Sequence, residues 1–192
     1  MPRPVSVAIT GGIGAGKSEA LQAFARHGAA TISSDAIVHR LLREDEEVKR
    51  AIVEKLGRVV VRSGEIDRSR VAKIVFRDRD KLAWLEELLH PRVSAGYLRW
   101  REAQTAPVTA TEVPLLFEAG SEANFDAVVV ITAPPDARHA RSAAATPDRE
   151  RRLIPDEEKV TRADYAYVND GTLEELDAFV AGVMDELTKR AA

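Results

Sequence analysis

The chain has 192 residues, a length typical of one domain or of one domain with an insertion. It contains no cysteine, which excludes disulfides, thiol nucleophiles and thiolate metal sites and fits a reducing cytoplasm. The net charge of −3 creates no overall field toward nucleic acid or membrane, and the longest uncharged run, residues 4–16, is too short to cross a bilayer. We therefore expect a cytoplasmic protein that binds neither nucleic acid nor membrane.

The first quarter of the chain alternates short β-rich runs with helical segments. Val5–Thr10 predicts a buried strand, and a helix is expected from Ser18 to about His27. A second short strand is predicted at 29–33, and a helix at 35–42 with Ser34 or Asp35 as its N-cap. Strands alternating with helices are typical of an α/β fold around a mostly parallel sheet.

The middle third has a different character, because apolar residues recur at helical spacing with few strand signals. We interpret residues 43–104 as a helical subdomain inserted between strands of the core, 1–42 and 105–192. A polar turn is expected at 63–65. His90-Pro91 predicts an interruption between two helices, because proline disfavours helical geometry at the residue before it.

Sheet character returns in the last third of the chain. Strands are predicted at 108–113, at 127–132 and at 165–168, with a helix over about 137–144. Residues 145–155 are polar and rich in arginine, which favours a short surface lid. Thr172-Leu-Glu-Glu175 has the pattern of a capping box that opens a C-terminal helix.

One motif decides the functional class. Gly11-Gly-Ile-Gly-Ala-Gly-Lys-Ser18 matches G-x-x-x-x-G-K-[ST] in full, with a hydrophobic strand before it and a helix after it. Its glycines let successive backbone N–H groups point at phosphate oxygens, and the helix adds its positive N-terminal end. The pattern predicts that Lys17 reaches the β- and γ-phosphates of a nucleotide and that the Ser18 hydroxyl binds Mg²⁺.

Several P-loop classes can be distinguished by what accompanies this motif. A GTPase would carry Asn-Lys-x-Asp, which is absent, and a motor or AAA-type ATPase would end a strand in paired acids. Only Glu112 and Glu118 are candidates for such acids. Small phosphotransferases remain, and they need an acceptor site, an acid near the γ-phosphate and a basic lid.

Six motifs along the chain resemble those of the dephospho-CoA kinase family, and they occur in that family's order. They are Thr10–Ser18, Ile32-Ser-Ser-Asp35, Gly64-Glu-Ile-Asp-Arg68, Leu88-Leu-His-Pro91, Val113-Pro-Leu-Leu-Phe-Glu118 and Ala163-Asp-Tyr165 with Asn169-Asp-Gly171. The resemblance implies a P-loop NTPase-type three-layer α/β/α fold with a helical CoA-binding subdomain and a lid. It also implies ATP-dependent phosphorylation of the ribose 3′-hydroxyl of dephospho-CoA.

The resemblance assigns roles to individual residues. Lys17, Asp35 and Arg141 are implied to be catalytic, and Asp35, Arg68 and His90 to lie on the acceptor side. Asp35 would accept the proton of the hydroxyl or orient it, although it is also a candidate helix cap. Arg141 would neutralise charge on the transferring phosphoryl group, and Arg68 could instead cap a helix. The implied nucleotide-binding residues are Gly12, Ile13, Gly14, Ala15, Gly16, Lys17, Ser18, Glu19 and Arg141.

Two departures from the family pattern stand out. Ser33-Ser34-Asp35 replaces the usual Asp-Ala-Asp, although Asp35 matches the acid that acts on the acceptor. The lid is several residues short, and Ala145 stands where the family has a second arginine. We expect Arg149, Arg151 or Arg152 to supply the missing phosphate contact.

The residues leave two other functions open. One is a P-loop kinase that acts on another small nucleotide or alcohol, and the other is a catalytically weak nucleotide-binding module, which the short lid favours. The implied partners are ATP with Mg²⁺ and dephospho-CoA, in a monomer or a weak homo-oligomer.

Overall fold

The computed structural model describes residues 3–142 and 153–191. The chain divides into two compact units, Met1–Ser33 with Arg101–Ala192, and Ser34–Trp100. The inserted subdomain was predicted at 43–104, whereas the second unit begins at Ser34. The helix that carries Asp35 therefore lies in the second unit and not in the predicted core. Among the described residues, no helix has the length and apolar composition needed to cross a membrane.

The secondary structure comprises seven strands and eight α-helices within the described ranges. The strands are β1 Val5–Gly11, β2 Ala30–Ser33, β3 Val61–Arg62, β4 Glu65–Ile66, β5 Val108–Glu112, β6 Ala127–Thr132 and β7 Tyr165–Val168. The helices are α1 Lys17–Arg26, α2 Ser34–Glu44, α3 Glu46–Leu56, α4 Arg68–Val75, α5 Arg79–Glu102, α6 Pro135–Arg141, α7 Asp156–Thr161 and α8 Leu173–Ala191.

The first unit is built on a five-stranded parallel sheet of order β2-β5-β1-β6-β7. The order reverses at β1, because β5 lies on one side of it and β6 on the other. In open α/β sheets, ligands bind beyond the carboxyl ends of the strands at such a switch point. The phosphate-binding loop, Gly11–Ser18, begins at that position.

The strands of this sheet are covered on both faces, which confirms the predicted three-layer arrangement. Val7, Ile9, Val129 and Ile131 pack in one cluster with residues of α1 and α8. The alternate positions Ala8, Val128 and Val130 pack in a second cluster with Leu116 and Phe117. Alternation of side chains across a strand sends neighbouring residues to opposite faces, so both faces must be apolar.

The predicted capping box is confirmed. The backbone N–H of Thr172 donates to Oε2 of Glu175 at 2.8 Å, and the N–H of Glu175 donates to the Thr172 hydroxyl at 3.3 Å. These bonds satisfy N–H groups that the first turn of α8 leaves without helical partners. The short connection from β7 to α8 is therefore held in one conformation.

The second unit contains α2 to α5 and the β3–β4 hairpin, with a hydrophobic core of its own. Asp45 and Asp67 cap α3 and α4, each accepting two backbone N–H groups through one side-chain oxygen. The predicted turn at 63–65 overlaps the connection of the hairpin, residues 63–64, and Glu65 already belongs to β4. The buried residues of this core are Leu42, Val48, Ile52, Leu56, Val60, Val71, Val75 and Leu89.

The prediction of an interruption at His90-Pro91 is wrong, because α5 continues from Arg79 to Glu102 with Pro91 inside it. A proline in a helix costs about 3 kcal/mol, and burying a Leu or Val side chain contributes about 1.5–3 kcal/mol. Leu85, Leu89 and Val93 pack into the core on both sides of the proline, which offsets that cost. The Arg92 side chain also donates to the Leu88 carbonyl at 3.0 Å.

Candidate active site

The phosphate-binding loop connects β1 to α1, as the motif predicts. Lys17 is the first residue of α1 and is 9% exposed. Its Nζ donates to the carbonyl oxygens of Gly12 at 2.8 Å and of Gly11 at 3.2 Å. The ammonium group therefore lies over the beginning of the loop, and because it is buried its charge acts through a lower dielectric than in water.

Asn169, directly after β7, supports this loop from the side. Its side chain is buried, and its Nδ2 donates to the carbonyl oxygen of Ala15 at 2.9 Å. Gly16 has a φ of +100°, and a Cβ there would lie 2.2 Å from the same Nδ2. Position 16 thus needs glycine both for its backbone conformation and for the approach of Asn169.

Helix α6 packs directly against the same loop. A Cβ on Gly14 would lie 2.6 Å from the backbone oxygen of Arg138, and a Cβ on Gly12 would lie 2.8 Å from Arg138 Nη1. A larger residue at 14 would push the backbone of α6 away, whereas one at 12 would displace the end of the Arg138 side chain. The glycines of the motif therefore serve the packing of α6 as well as the phosphate cradle.

Arg141, the last residue of α6, is linked to the loop through β7. Its Nη1 donates to the backbone oxygen of Asn169 at 3.1 Å, and the Asn169 side chain holds Ala15. The structure thus brings Lys17, Ser18 and Arg141 to one end of the sheet. The nucleotide-binding and catalytic roles of these residues, and of Glu19 in the first turn of α1, remain predictions.

Ser18 has an acidic neighbour on the adjacent strand. Its Oγ donates to Oε2 of Glu112 at 3.1 Å, and Glu112 is the last residue of β5. Mg²⁺ takes oxygen ligands and is commonly bound by one or two protein groups together with substrate phosphates and water. A hydroxyl and a carboxylate beside a phosphate-binding loop fit that donor set. Among the described residues, no cluster of three or more acidic or His side chains offers an alternative.

The three acceptor-side residues lie on different helices of the second unit. Asp35 is exposed in the first turn of α2, two residues after β2 ends at Ser33. Arg68 is the exposed first residue of α4, where Asp67 and not Arg68 is the cap. His90 is exposed in the middle of α5. Their roles toward an acceptor remain predictions.

Glu118 is the other acid that was a candidate from the sequence, and its contacts stabilise the fold. Its Oε1 lies 3.2 Å from Nζ of Lys159, which is fully buried, and accepts the backbone N–H of Ile154 at 3.0 Å. Removing one member of a buried pair leaves an uncompensated charge, which is typically destabilising by about 3–5 kcal/mol. Glu118 therefore anchors the segment before α7. Its Oε1 contacts Lys159 and Ile154 and not the phosphate-binding loop.

The predicted lid, residues 145–155, falls mostly outside the described residues. Ala145, Arg149, Arg151 and Arg152 all lie in that part of the chain, so the expectation about the lid arginines stays a prediction. Of the predicted lid, the structure describes residues 153–155, which precede α7.

Asn169 and Arg138 were not among the site residues predicted from the sequence, and Glu112 was considered only as a sign of another enzyme class. Asn169 stood in a family motif, and Glu112 stood at the end of a predicted strand, so both positions carried a signal. Their contacts with the loop depend on strand order, which the sequence did not reveal. Arg138 carried no signal beyond its position on a predicted helix.

Comparisons with known proteins agree with this geometry. Residues 5–175 match the profile of the dephospho-CoA kinase family. A dephospho-CoA kinase of Streptomyces avermitilis is 38% identical over 208 residues, covering 97% of this chain and 96% of the relative. One of Protochlamydia amoebophila is 35% identical over 193 residues, covering 94% and 95%.

Solved structures give the same result. A crystal structure of a Thermus thermophilus protein superposes with a TM-score of 0.80 at 32% identity, covering 96% of this chain and 98% of that one. Dephospho-CoA kinase from Campylobacter jejuni superposes with a TM-score of 0.72 at 26% identity, covering 97% and 98%. The family profile matches residues 5–175, which include the phosphate-binding loop and Glu112, and the two curated relatives cover nearly the whole chain. The chain therefore belongs to the dephospho-CoA kinase family.

Proposed function

We propose that this protein transfers the γ-phosphoryl group of ATP to the ribose 3′-hydroxyl of dephospho-CoA, giving CoA and ADP. The contact between Ser18 and Glu112 at 3.1 Å carries the proposal, because a hydroxyl and a carboxylate beside the phosphate-binding loop match the oxygen ligands that Mg²⁺ takes. Membership of the family supports dephospho-CoA as the acceptor. In the reaction the 3′-oxygen forms a bond to the γ-phosphorus, and the bond from that phosphorus to the β–γ bridging oxygen breaks.

The phosphate-binding loop would bind the phosphoryl donor, ATP. Backbone N–H groups of the loop would bind the phosphates, and the Lys17 ammonium would leave the carbonyls of Gly11 and Gly12 to bind the transferring group. A preorganised positive charge at this position stabilises the charge that develops on the phosphoryl oxygens. Arg141, tethered to the Asn169 carbonyl, would add a second positive charge from α6.

Ser18 and Glu112 would hold Mg²⁺, the Ser18 hydroxyl as a ligand and the Glu112 carboxylate as a ligand or through a bound water. When bound, Mg²⁺ neutralises phosphate charge and orients the β- and γ-phosphates. Glu112 also accepts the Ser18 hydroxyl hydrogen bond, which points the hydroxyl oxygen lone pairs away from the carboxylate. The pair is therefore oriented before the nucleotide arrives.

Residues of the second unit would bind the acceptor, dephospho-CoA. Asp35 follows β2, whose last residue Ser33 is in register with Glu112 on β5. We assign Asp35 to the acceptor hydroxyl, whose proton it would accept or direct to water, a contribution worth about 10²–10⁴ in rate. Arg68 and His90 are exposed on two other helices. We assign Arg68 to the phosphates of the acceptor and His90 to the acceptor side.

The direct test is a transfer assay with the purified protein, Mg²⁺, ATP and dephospho-CoA, with CoA and ADP separated and quantified. Adenosine and AMP serve as competing acceptors, which tests the alternative that the chain is a kinase of another small nucleotide or alcohol. We expect CoA and ADP to form in equal amounts and the competing acceptors to react at least 100-fold more slowly, on the order of what hydrogen-bonded recognition achieves.

Lys17→Met provides the matched control for that assay, since it keeps the length of the side chain and removes its charge. We expect kcat to fall by about 10²-fold or more, because several kcal/mol of transition-state stabilisation are lost. ADP formation without CoA would identify a nucleotide-binding module with weak hydrolysis, and preference for another acceptor would overturn the assignment of dephospho-CoA.

We further propose that the protein works in the cytoplasm as a monomer or weak homo-oligomer, without nucleic acid or membrane partners. The cysteine-free composition and the small net charge support this setting.

A further inference from the structure

Arg138 lies at the phosphate-binding loop without a strong partner of its own. Its Nη1 is 3.4 Å from Oδ2 of Asp156, whereas charge-assisted hydrogen bonds are normally about 2.7–2.9 Å long. Its Nε is buried and has no hydrogen-bond partner among the described residues. Buried donors are almost always paired, so this guanidinium group has unused capacity for an acceptor.

Gly12 connects Arg138 with Lys17. The Lys17 ammonium donates to the Gly12 carbonyl at 2.8 Å, and a Cβ on Gly12 would lie only 2.8 Å from Arg138 Nη1. Two cationic groups therefore approach the same residue of the loop. In this motif the lysine reaches the β- and γ-phosphates, so Gly12 marks the end of the loop that faces the terminal phosphate.

Asp156 competes for the same guanidinium group. Both of its carboxylate oxygens would lie 3.4 Å from a Cβ on Gly12, and its side chain is 28% exposed. Arg138 and Asp156 also line one open cavity of roughly 800 Å³. A phosphate oxygen would be a better acceptor than this loosely held carboxylate, because guanidinium binds phosphate in a planar, bidentate geometry.

We propose that Arg138 is a ligand of the γ-phosphate of ATP and that Asp156 holds its guanidinium group at Gly12 until the nucleotide binds. The inference rests on the proposed ATP-dependent reaction. It places within the described residues an arginine that can provide the phosphate contact that the methyl group of Ala145 cannot make. Asp156 is then the resting partner that the γ-phosphate displaces, and Arg138 touches the substrate.

The test measures the affinities of ATP and ADP separately, by calorimetry in the presence of Mg²⁺ and in the absence of dephospho-CoA. A contact with the γ-phosphate predicts that Arg138→Ala weakens ATP binding by about tenfold to a hundredfold and leaves ADP binding within about twofold. Arg138→Lys keeps the charge and loses the planar guanidinium group. Its affinity for ATP should lie between that of the unmodified protein and that of Arg138→Ala. Lys189→Ala removes one positive charge from exposed surface of α8 and should change neither affinity.

Asp156→Asn separates this role from a structural one. If Asp156 competes with ATP for Arg138, this variant should bind ATP at least as tightly as the unmodified protein. If the pair only stabilises the packing of α6 and α7, Asp156→Asn and Arg138→Ala should weaken ATP and ADP alike, and the proposal is then wrong. An unchanged ratio of ATP to ADP affinity in Arg138→Ala would also overturn it.

The two proposals fail in different ways. A protein that does not bind ATP at all contradicts the proposed function. A protein that binds ATP and forms CoA, but whose ratio of ATP to ADP affinity does not depend on Arg138, contradicts only this inference. Thermal unfolding of each variant identifies any that do not fold, and Arg138→Lys keeps the test decisive in that case.

Discussion

Asn169 Nδ2 donates a 2.9 Å hydrogen bond to the carbonyl oxygen of Ala15, so the residue directly after β7 holds the middle of the phosphate-binding loop. The backbone of Asn169 is itself fixed, because its N–H donates to the Thr132 oxygen at 2.7 Å and its carbonyl accepts from Arg141. One residue thus connects β6, β7, α6 and the loop. The shape of the loop depends on the sheet as much as on its own glycines.

Replacing Asn169 tests that dependence. Asn169→Ala leaves the buried Ala15 carbonyl without this donor, which we expect to lower the free energy of unfolding by about 1–3 kcal/mol. We also expect kcat/KM for ATP to fall by about tenfold, because the loop loses its preorganised shape. Urea unfolding and steady-state kinetics measure the two effects. Asn124→Ala, at an exposed turn, is the matched control, and equal losses in both variants would contradict a role in shaping the loop.

Glu112 tests the proposed metal pair. Glu112→Gln keeps the size of the side chain and removes its charge, so we expect the Mg²⁺ concentration needed for half-maximal activity to rise and kcat to fall by about 10–100-fold. A titration of activity with Mg²⁺ at saturating ATP measures both. Glu102→Gln at an exposed position serves as the control. A Glu112→Gln protein with an unchanged Mg²⁺ requirement would show that the carboxylate only orients the Ser18 hydroxyl.

Asp35 is predicted to act on the acceptor and not on the nucleotide. Asp35→Asn keeps the shape of the side chain and removes the carboxylate, so kcat should fall by about 10²–10⁴-fold while ATP affinity changes little. Single-turnover transfer and ATP binding, measured on the same preparation, separate the two steps. Asp80→Asn, in the first turn of the neighbouring α5, is the control. Normal turnover in Asp35→Asn would mean that another group acts on the hydroxyl.

Asp126 predicts a pH dependence of stability away from the candidate site. Burial alone would raise the pKa of this carboxyl, but hydrogen bonds from the backbone and hydroxyl of Ser6 and from Arg3 outweigh burial and lower the pKa below its ordinary value of 3.8. A carboxyl whose pKa is lowered in the folded protein stabilises it above the ordinary pKa. That contribution is lost as the pH falls from 3.8 through the lower folded value.

The free energy of unfolding, measured by urea denaturation at several pH values, should therefore decrease on acidification through this range. In Asp126→Asn the decrease should be smaller, because the titrating group is gone. Asp136→Asn, at an exposed position of α6 without a partner among the described residues, should keep the slope of the unmodified protein. If Asp126→Asn retains the full slope as well, the hydrogen bonds around Asp126 do not stabilise its charge.

Local patterns in the sequence were sufficient for most of the elements of the first unit. The runs at 127–132 and 165–168 form strands with the predicted bounds, and the capping box at Thr172 and Glu175 is present as predicted. The phosphate-binding loop was also predicted, with the helix that follows it. These features depend on neighbours within a few residues along the chain, where periodicity, capping and backbone geometry act.

Features that depend on distant segments required the tertiary structure. Pro91 stays inside a helix because apolar side chains on both sides of it pack into one core. Glu112 meets Ser18 and Asn169 meets Ala15 because β5, β1, β6 and β7 lie side by side in that order. The sequence by itself determined that a nucleotide phosphate site exists and where its loop begins. Which acid, amide and arginine lie beside that loop was decided by strand order and helix packing, because the contacts between residues up to 154 positions apart depend on how the whole sheet assembles.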